Sequence, residues 1–173
     1  MRTYRIFLAL LIVLSSTIDT KAQSLIENRD AQLKKLESAS ENEKVIIMAS
    51  LAKDYVFQNP DSGLYYMKQA LDLARNITDE KVKASAYQSM GGGLLELGNL
   101  DSAAWYSLEA KRMHEELGMP AEVVSDLNIL TMVYRSARNF ELSLNYGRSA
   151  LAIHRSGIIP DSLKRVEISE AMT

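Results

Sequence analysis

The sequence predicts an all-α protein in which antiparallel helix pairs stack into a superhelical solenoid. Three observations carry that prediction. The first is a forty-residue beat. A small residue recurs at Gly63, Ala103 and Ser143, a tyrosine follows three places later at Tyr66, Tyr106 and Tyr146, and an alanine stands seven places after the small residue at Ala70, Ala110 and Ala150. Offsets of three and seven fall on one face of an α-helix. The second is regular punctuation, with Ser40, Asn59-Pro60, Thr78-Asp79, Gly98, Gly118-Met119-Pro120 and Gly157 separating apolar-periodic stretches. The third is the lack of strand signals, since the chain has no alternating β-branched runs and no Asn-Gly hairpin turns.

The bulk composition suits such a fold. The 173 residues are 47% hydrophobic and 24% charged, with 8 Gly and 3 Pro, apolar enough to bury a core and too apolar for disorder. The formal net charge is -2, and no run of Lys or Arg provides an electrostatic footprint for nucleic acid. The absence of cysteine excludes disulfides, thiolate metal sites, a cysteine nucleophile and lipoprotein anchoring.

Residues 1–22 have the layout of a secretory signal peptide. Arg2 and Arg5 form a basic start, Ile6 to Leu14 is an unbroken apolar run, and Thr20 and Ala22 are small residues suited to cleavage after Ala22. The run is well short of the roughly 20 apolar residues a membrane-spanning helix needs. Export to a periplasmic or other extracytoplasmic compartment is the expectation, and an oxidising compartment is compatible with a chain whose core needs no staples.

The mature chain then reads as a series of helices. Residues 23–40 form an N-terminal capping helix, with Ile26, Leu33 and Leu36 on one side and Arg29, Lys34 and Lys35 on the other. Solenoids need such caps because a terminal face would otherwise stay wet. Ser40 and Glu43 make a capping box that starts the next helix, through Val45, Ile46, Met48, Leu51, Ala52 and Tyr55. Asn59-Pro60 restarts the chain, and the helix that follows to Ala74 carries the small, tyrosine and alanine columns. Thr78, Asp79 and Glu80 open a helix with acids at its positive end. That helix stops at Gly98, and its partner, from Leu100, stops at Gly118; both glycines suit a left-handed cap. Pro120 opens a helix ending near Ala137, and Phe140 to Arg155 is its partner, closed by Gly157. Pro160-Asp161-Ser162 starts one more helix, inside which residue 173 falls. The repeats thus span about 41–77, 78–118 and 119–157, with an incomplete fourth over 158–173, and short connections make neighbouring helices antiparallel.

These columns resemble the tetratricopeptide repeat, which places a large residue, Leu-Gly and Tyr on a first helix and Ala, an aromatic and Ala on a second. Repeat one supplies Met48, Leu51-Ala52 and Tyr55, then Gly63, Tyr66 and Ala70. Repeat two supplies Tyr87, Met90-Gly91 and Leu94, then Gly98, Ala103, Tyr106 and Ala110. Repeat three supplies Leu127, Leu130-Thr131 and Tyr134, then Phe140, Ser143, Tyr146 and Ala150. The period is forty rather than thirty-four, and Ala52 and Thr131 stand where the family has glycine. The resemblance covers about Glu41 to Arg155 and implies a right-handed superhelix. The small residues are then expected to let the helices of a pair approach closely, and the tyrosines to fill the space toward the next pair.

The same resemblance extends to the exported repeat region that begins many bacterial sensor histidine kinases and transcriptional regulators, through the signal peptide, the leading helix with Leu33 to Leu36, the Asn59 to Ser62 element and the long repeat. It implies a non-catalytic protein- or peptide-binding scaffold, the sensory or interaction region of a signalling protein. By the family's phase the binding face is concave and lined by Lys53, Phe57, Ser85, Gln88, Gly92, Leu95, Glu96, Ser125, Asn128, Met132 and Arg135. It does not reproduce the paired lysines and asparagines of carboxylate-clamp members. Membrane contact is expected only through the signal peptide or a downstream segment, and the unpaired last helix offers a route to self-association.

Other candidate sites weigh less. Gly91-Gly92-Gly93 lacks the preceding strand and the Gly-Lys-Ser/Thr of a phosphate loop, which leaves close packing at Gly91 and a hinge or close ligand approach at Gly92. His114-Glu115-Glu116 begins like a zinc-protease helix but has Gly118 where the second histidine is needed. His114 and His154, forty apart, read as exposed histidines near helix C-termini. Trp105 and Tyr65 are candidate interface aromatics beside core tyrosines Tyr106 and Tyr66. No Ser/His/Asp set converges, so neither catalysis nor a cofactor is expected. A free-standing periplasmic assembly adaptor is the second reading, and an enzyme with a solenoid body a distant third.

Overall fold

The structure, a computed structural model, describes residues 27–159. The expected signal peptide and its cleavage point, the first residues of the capping helix and the helix expected from Asp161 lie outside the described residues. Every regular element among the described residues is an α-helix. The first, α1, covers 27–36 and belongs to a compact unit that ends at Ala39. Its Leu33 and Leu36 are half-buried and its Lys34 and Lys35 exposed, an amphipathic pattern.

The second unit begins at Ser40. Its helices are α2 (Glu41–Tyr55), α3 (Pro60–Ala74), α4 (Glu80–Glu96), α5 (Leu100–Glu116), α6 (Pro120–Ser136) and α7 (Phe140–Arg155). Except at α6, which Met119-Pro120 opens with no side-chain cap, their starts follow from side chains able to accept the free N–H groups of a first turn. The Ser40 hydroxyl accepts from the Glu43 N–H, and the Glu43 carboxylate accepts from the Ser40 N–H at 3.0 Å, so the predicted capping box is complete. Asp79 accepts from Lys81 and Val82 at 3.0 and 3.2 Å. The second helices share one device. Asn59, Asn99 and Asn139, again forty apart, accept from the N–H three residues on at 3.1, 3.3 and 3.2 Å.

The ends of α4, α5 and α6 are closed by a common three-residue turn. Gly98, Gly118 and Arg138 take φ of 75°, 66° and 58°. The next residue donates back to a carbonyl five places earlier, Asn99 to Leu94, Met119 to His114 and Asn139 to Tyr134, each at 2.9 Å. The residue that ends one helix also caps the next, which reverses the chain tightly. Arg138 departs from the glycine pattern, and a side chain there strains the left-handed backbone.

Each helix from α2 to α6 packs on its successor, and α2, α4 and α6 also contact in series. Apolar clusters fill the seams. Val45, Ala74, Ile77, Val82 and Ala86 join α2, α3 and α4, while Leu94, Ala103 and Val133 join α4, α5 and α6. Val123, Val124, Leu127, Ala150 and Ile159 close the end of the α6–α7 pair. The small-residue column lies where neighbouring helices come close. A methyl on Gly63 would stand 3.0 Å from Val56 Cα, Ala103 is fully buried, and the Ser143 hydroxyl donates to the Thr131 carbonyl at 2.9 Å. The alanines at 70, 110 and 150 are all buried.

The tyrosines bridge two neighbours. Tyr66 stacks on Tyr55 with centroids 5.6 Å apart, Tyr146 stacks on Tyr134 at 5.4 Å, and Tyr106 meets Tyr87 edge-on at 5.6 Å. Tyr66 also packs on a cluster that reaches Met90 and Leu97 of the following helix. Tyr66 and Tyr106 are half-buried rather than fully core, packed against the edges of the seam clusters. Burial raises the pKa of both, and of Tyr134.

Candidate functional site

The side chains expected on the first-helix face all belong to α2, α4 or α6, except Phe57, which lies just past α2. None of the eleven is buried. Lys53, Phe57, Glu96, Asn128, Met132 and Arg135 are exposed, and Ser85, Gln88, Gly92, Leu95 and Ser125 are half-buried. Lys53 and Ser85 border a shallow recess of about 260 Å³ between α2 and α4, with Val45, Ala49, Val82 and Ala86 lining it and Ile46 and Ser89 beside them. Its lining is apolar with hydroxyl and ammonium groups at the margin, chemistry suited to an apolar side chain carried on a polar backbone.

Several of the eleven are engaged inside the fold: Leu95 packs on the Leu94, Ala103 and Val133 cluster, and the Ser125 hydroxyl donates to the Ala121 carbonyl at 3.3 Å. The Gln88 amide donates to Asp126 Oδ1 at 2.8 Å and to the Glu122 carbonyl at 3.3 Å, tying α4 to α6. A methyl on Gly92 would meet Ile129 Cδ1 of α6 at 3.8 Å, an ordinary contact. Its neighbours are tighter. A methyl on Gly91 would run into the Ser107 hydroxyl and stand 3.1 Å from the Ser107 nitrogen, and one on Gly93 would stand 2.6 Å from Met67 Sδ. The glycine run is thus a packing feature at its first and third positions, with no cradle of free N–H groups, since it lies within α4.

The histidine expectation is corrected. His114 is fully buried, and its Nδ1 lies 2.7 Å from Asp126 Oδ2, with Asp126 equally buried. The seven-residue offset that places His114 below Ser107 turns it inward, where the second turn of α6 brings Asp126. His154 is half-buried. The adjacent acids separate from it, Glu115 pairing with Lys111 and Glu116 with Arg112, both at 2.7 Å. Burial is the main cause holding the Asp126 carboxyl above its ordinary pKa, against the pull of His114 and Gln88 hydrogen bonds. The Gln88–Asp126–His114 chain joins α4, α6 and α5, with Asp126 and His114 fully buried, so it braces the stack.

Sequence reasoning missed this brace. Its signal was an acid at Asp126, in the column occupied by Ile47 and Ala86, seven residues after each first-helix cap. Trp105 and Tyr65 are 53% and 59% exposed, and Trp105 lies against both Tyr87 and Tyr106, so a partly open aromatic patch stands where interface aromatics were expected. Among the described residues no three potential metal ligands gather, and no helix is long and apolar enough to cross a membrane. A scan of protein-family models finds no match to the chain, and a search of curated proteins finds none either.

Proposed function

We propose that this chain is a tetratricopeptide-type right-handed solenoid that works as an exported, non-catalytic scaffold for a protein or peptide partner. The observation that carries the reading is the repeated register. The same columns recur in each helix pair, and the serial contact of α2, α4 and α6 supports reading their outward side chains as one row. That row carries cationic groups at both ends (Lys53 and Arg135), amides and hydroxyls between them, and the apolar recess beside Lys53. Such a surface suits an extended or helical peptide with apolar anchors and acidic flanks. In this reading the chain is the sensory or interaction region of a bacterial signalling protein.

The test is selection from a displayed random-peptide library on the folded chain. Peptides recovered should lose binding to a Lys53→Glu, Met132→Asp, Arg135→Glu variant and keep it with Lys68→Glu, on α3. Peptides indifferent to the first-helix substitutions would refute the reading. Export is tested separately, by sequencing the N-terminus of the protein recovered outside the cytoplasm. A start at Gln23 is expected; recovery of the intact Met1 form in the cytoplasm would refute it.

A further inference from the structure

The recess between α2 and α4 has an apolar floor and a polar margin. Val45 and Ala49 of α2 and Val82 and Ala86 of α4, all buried, make the floor, and the volume is about 260 Å³. No aromatic ring and no carboxylate lines it, and its one charge is the Lys53 ammonium.

The margin is unengaged. Ser50 and Lys53 are exposed, and Ser85 and Ser89 are half-buried. Among the described residues, the Lys53 ammonium has no acidic partner and the three serine hydroxyls make no hydrogen bond. Hydroxyls within a helix can turn back on the carbonyl four residues earlier, as those of Ser125, Thr131 and Ser149 do at 3.3, 2.7 and 3.0 Å. At the recess they stay open to a ligand.

We infer that the recess anchors one internal aliphatic side chain of the bound peptide, with the carboxylate of a neighbouring Asp or Glu held by Lys53. The inference rests on the scaffold reading above and adds the residue pattern that the row selects. Burial of the aliphatic group on the apolar floor supplies affinity. The lone cation sets the choice of neighbour: an acid finds a partner there, whereas Lys or Arg meets like charge with no acid in the lining to offset it. Residues of an extended peptide stand about 3.3 Å apart, so an acid within two positions of the anchor reaches the margin. The serine hydroxyls can donate to the peptide's carbonyls, which an aliphatic rim would leave unpaired.

The test starts from peptides selected from a displayed random library on the full chain and resynthesised with both ends blocked. Enriched sequences should share an aliphatic residue with Asp or Glu within two positions. Replacing the aliphatic residue with Ser should weaken binding about tenfold or more. Replacing the acid with Gln should weaken it about threefold, an effect that fades at high salt. In double-mutant cycles, Lys53→Gln should abolish the effect of the acid's replacement. Ser50→Phe, which sets a ring at the margin, should abolish that of the aliphatic residue. Ser50 is exposed, so its substitution spares the core, and circular dichroism checks the fold. Peptides that lose binding to Met132→Asp or Arg135→Glu yet ignore Lys53→Gln and Ser50→Phe would overturn this inference and leave the scaffold reading standing. Peptides indifferent to every first-helix substitution, or no enriched peptide, would overturn both. Additive effects in either cycle, or binding that needs a free C-terminus, would overturn the anchor alone.

Discussion

Gly91 and Gly92 are neighbours in sequence, yet alanine should act on them with opposite sign. A methyl at Gly91 meets the backbone of Ser107 on α5, which can yield only if the helix pair separates. Gly91→Ala should destabilise by about 1–3 kcal/mol through overpacking. A methyl at Gly92 finds Ile129 at ordinary distance, so Gly92→Ala should gain up to about 1 kcal/mol from helix propensity. Urea unfolding of the two variants checks this, and a loss at both sites would show that the close approach extends along the run. Asp126 makes a second prediction. Its native pKa is raised above 3.8, so as pH rises from 3.8 through the native value, the folded chain still holds a proton the unfolded chain has lost. Its contribution to stability is full below that window and declines as pH rises through it. The stability difference between wild type and Asp126→Asn should therefore shrink across that window in a series of urea melts. A difference that grows with pH would mean that the pairing with His114 outweighs burial. Neither residue was equally legible beforehand. Glycine in a helix flags close approach by its chemistry, whereas histidine and aspartate usually stand in water. Only the column shared with Ile47 and Ala86 betrays Asp126 as buried.

At the scale of the helix and its turns, the starts were readable wherever the capping side chain is itself diagnostic, as with Ser40 and Glu43 or Asn59 before Pro60. The asparagine column at 99 and 139 passed unnoticed because the apolar periodicity alone places the helices, and a cap shifts the boundary by one residue. Its energetic weight is nonetheless definite. Asn99→Ala removes the acceptor for the Ser102 N–H and should cost about 1 kcal/mol. Arg138 offers the reverse. It occupies the left-handed position that glycine fills at 98 and 118, with the same backbone hydrogen bonds around it. Arg138→Gly should gain about 1 kcal/mol, since the penalty for a side chain in that conformation is roughly 1–2 kcal/mol and glycine gives part of it back as chain entropy. Thermal melts of the two variants should move in opposite directions. A neutral Arg138→Gly would mean that its unfolded-state entropy cancels the relief of strain.

Across the whole second unit, the substantial helix contacts join elements no more than two apart in the chain. The forty-residue beat made that serial order legible, because a face repeated at fixed spacing can be buried only against its neighbours. The brace through Gln88, Asp126 and His114 was not legible, since it depends on three helices meeting at one point. A serial architecture has a mechanical consequence: stability is a sum of local terms, so damage in one pair should be felt mainly there. Leu130 lies fully buried in α6. Leu130→Ala should remove about 2–5 kcal/mol where its cavity opens. Native-state hydrogen exchange followed along the chain should then show protection falling most in α6 and α7, less in α4 and α5, and least in α2 and α3. Contact between α4 and α6, reinforced by the buried brace, is what would carry the damage toward the N-terminal pairs. An equal loss in every helix would show that this coupling exceeds the intrinsic stability of each pair, making the six helices one cooperative unit. The gradient is the expected result, because the apolar clusters follow one another along the stack, and those that join α2 to α3 do not include Leu130.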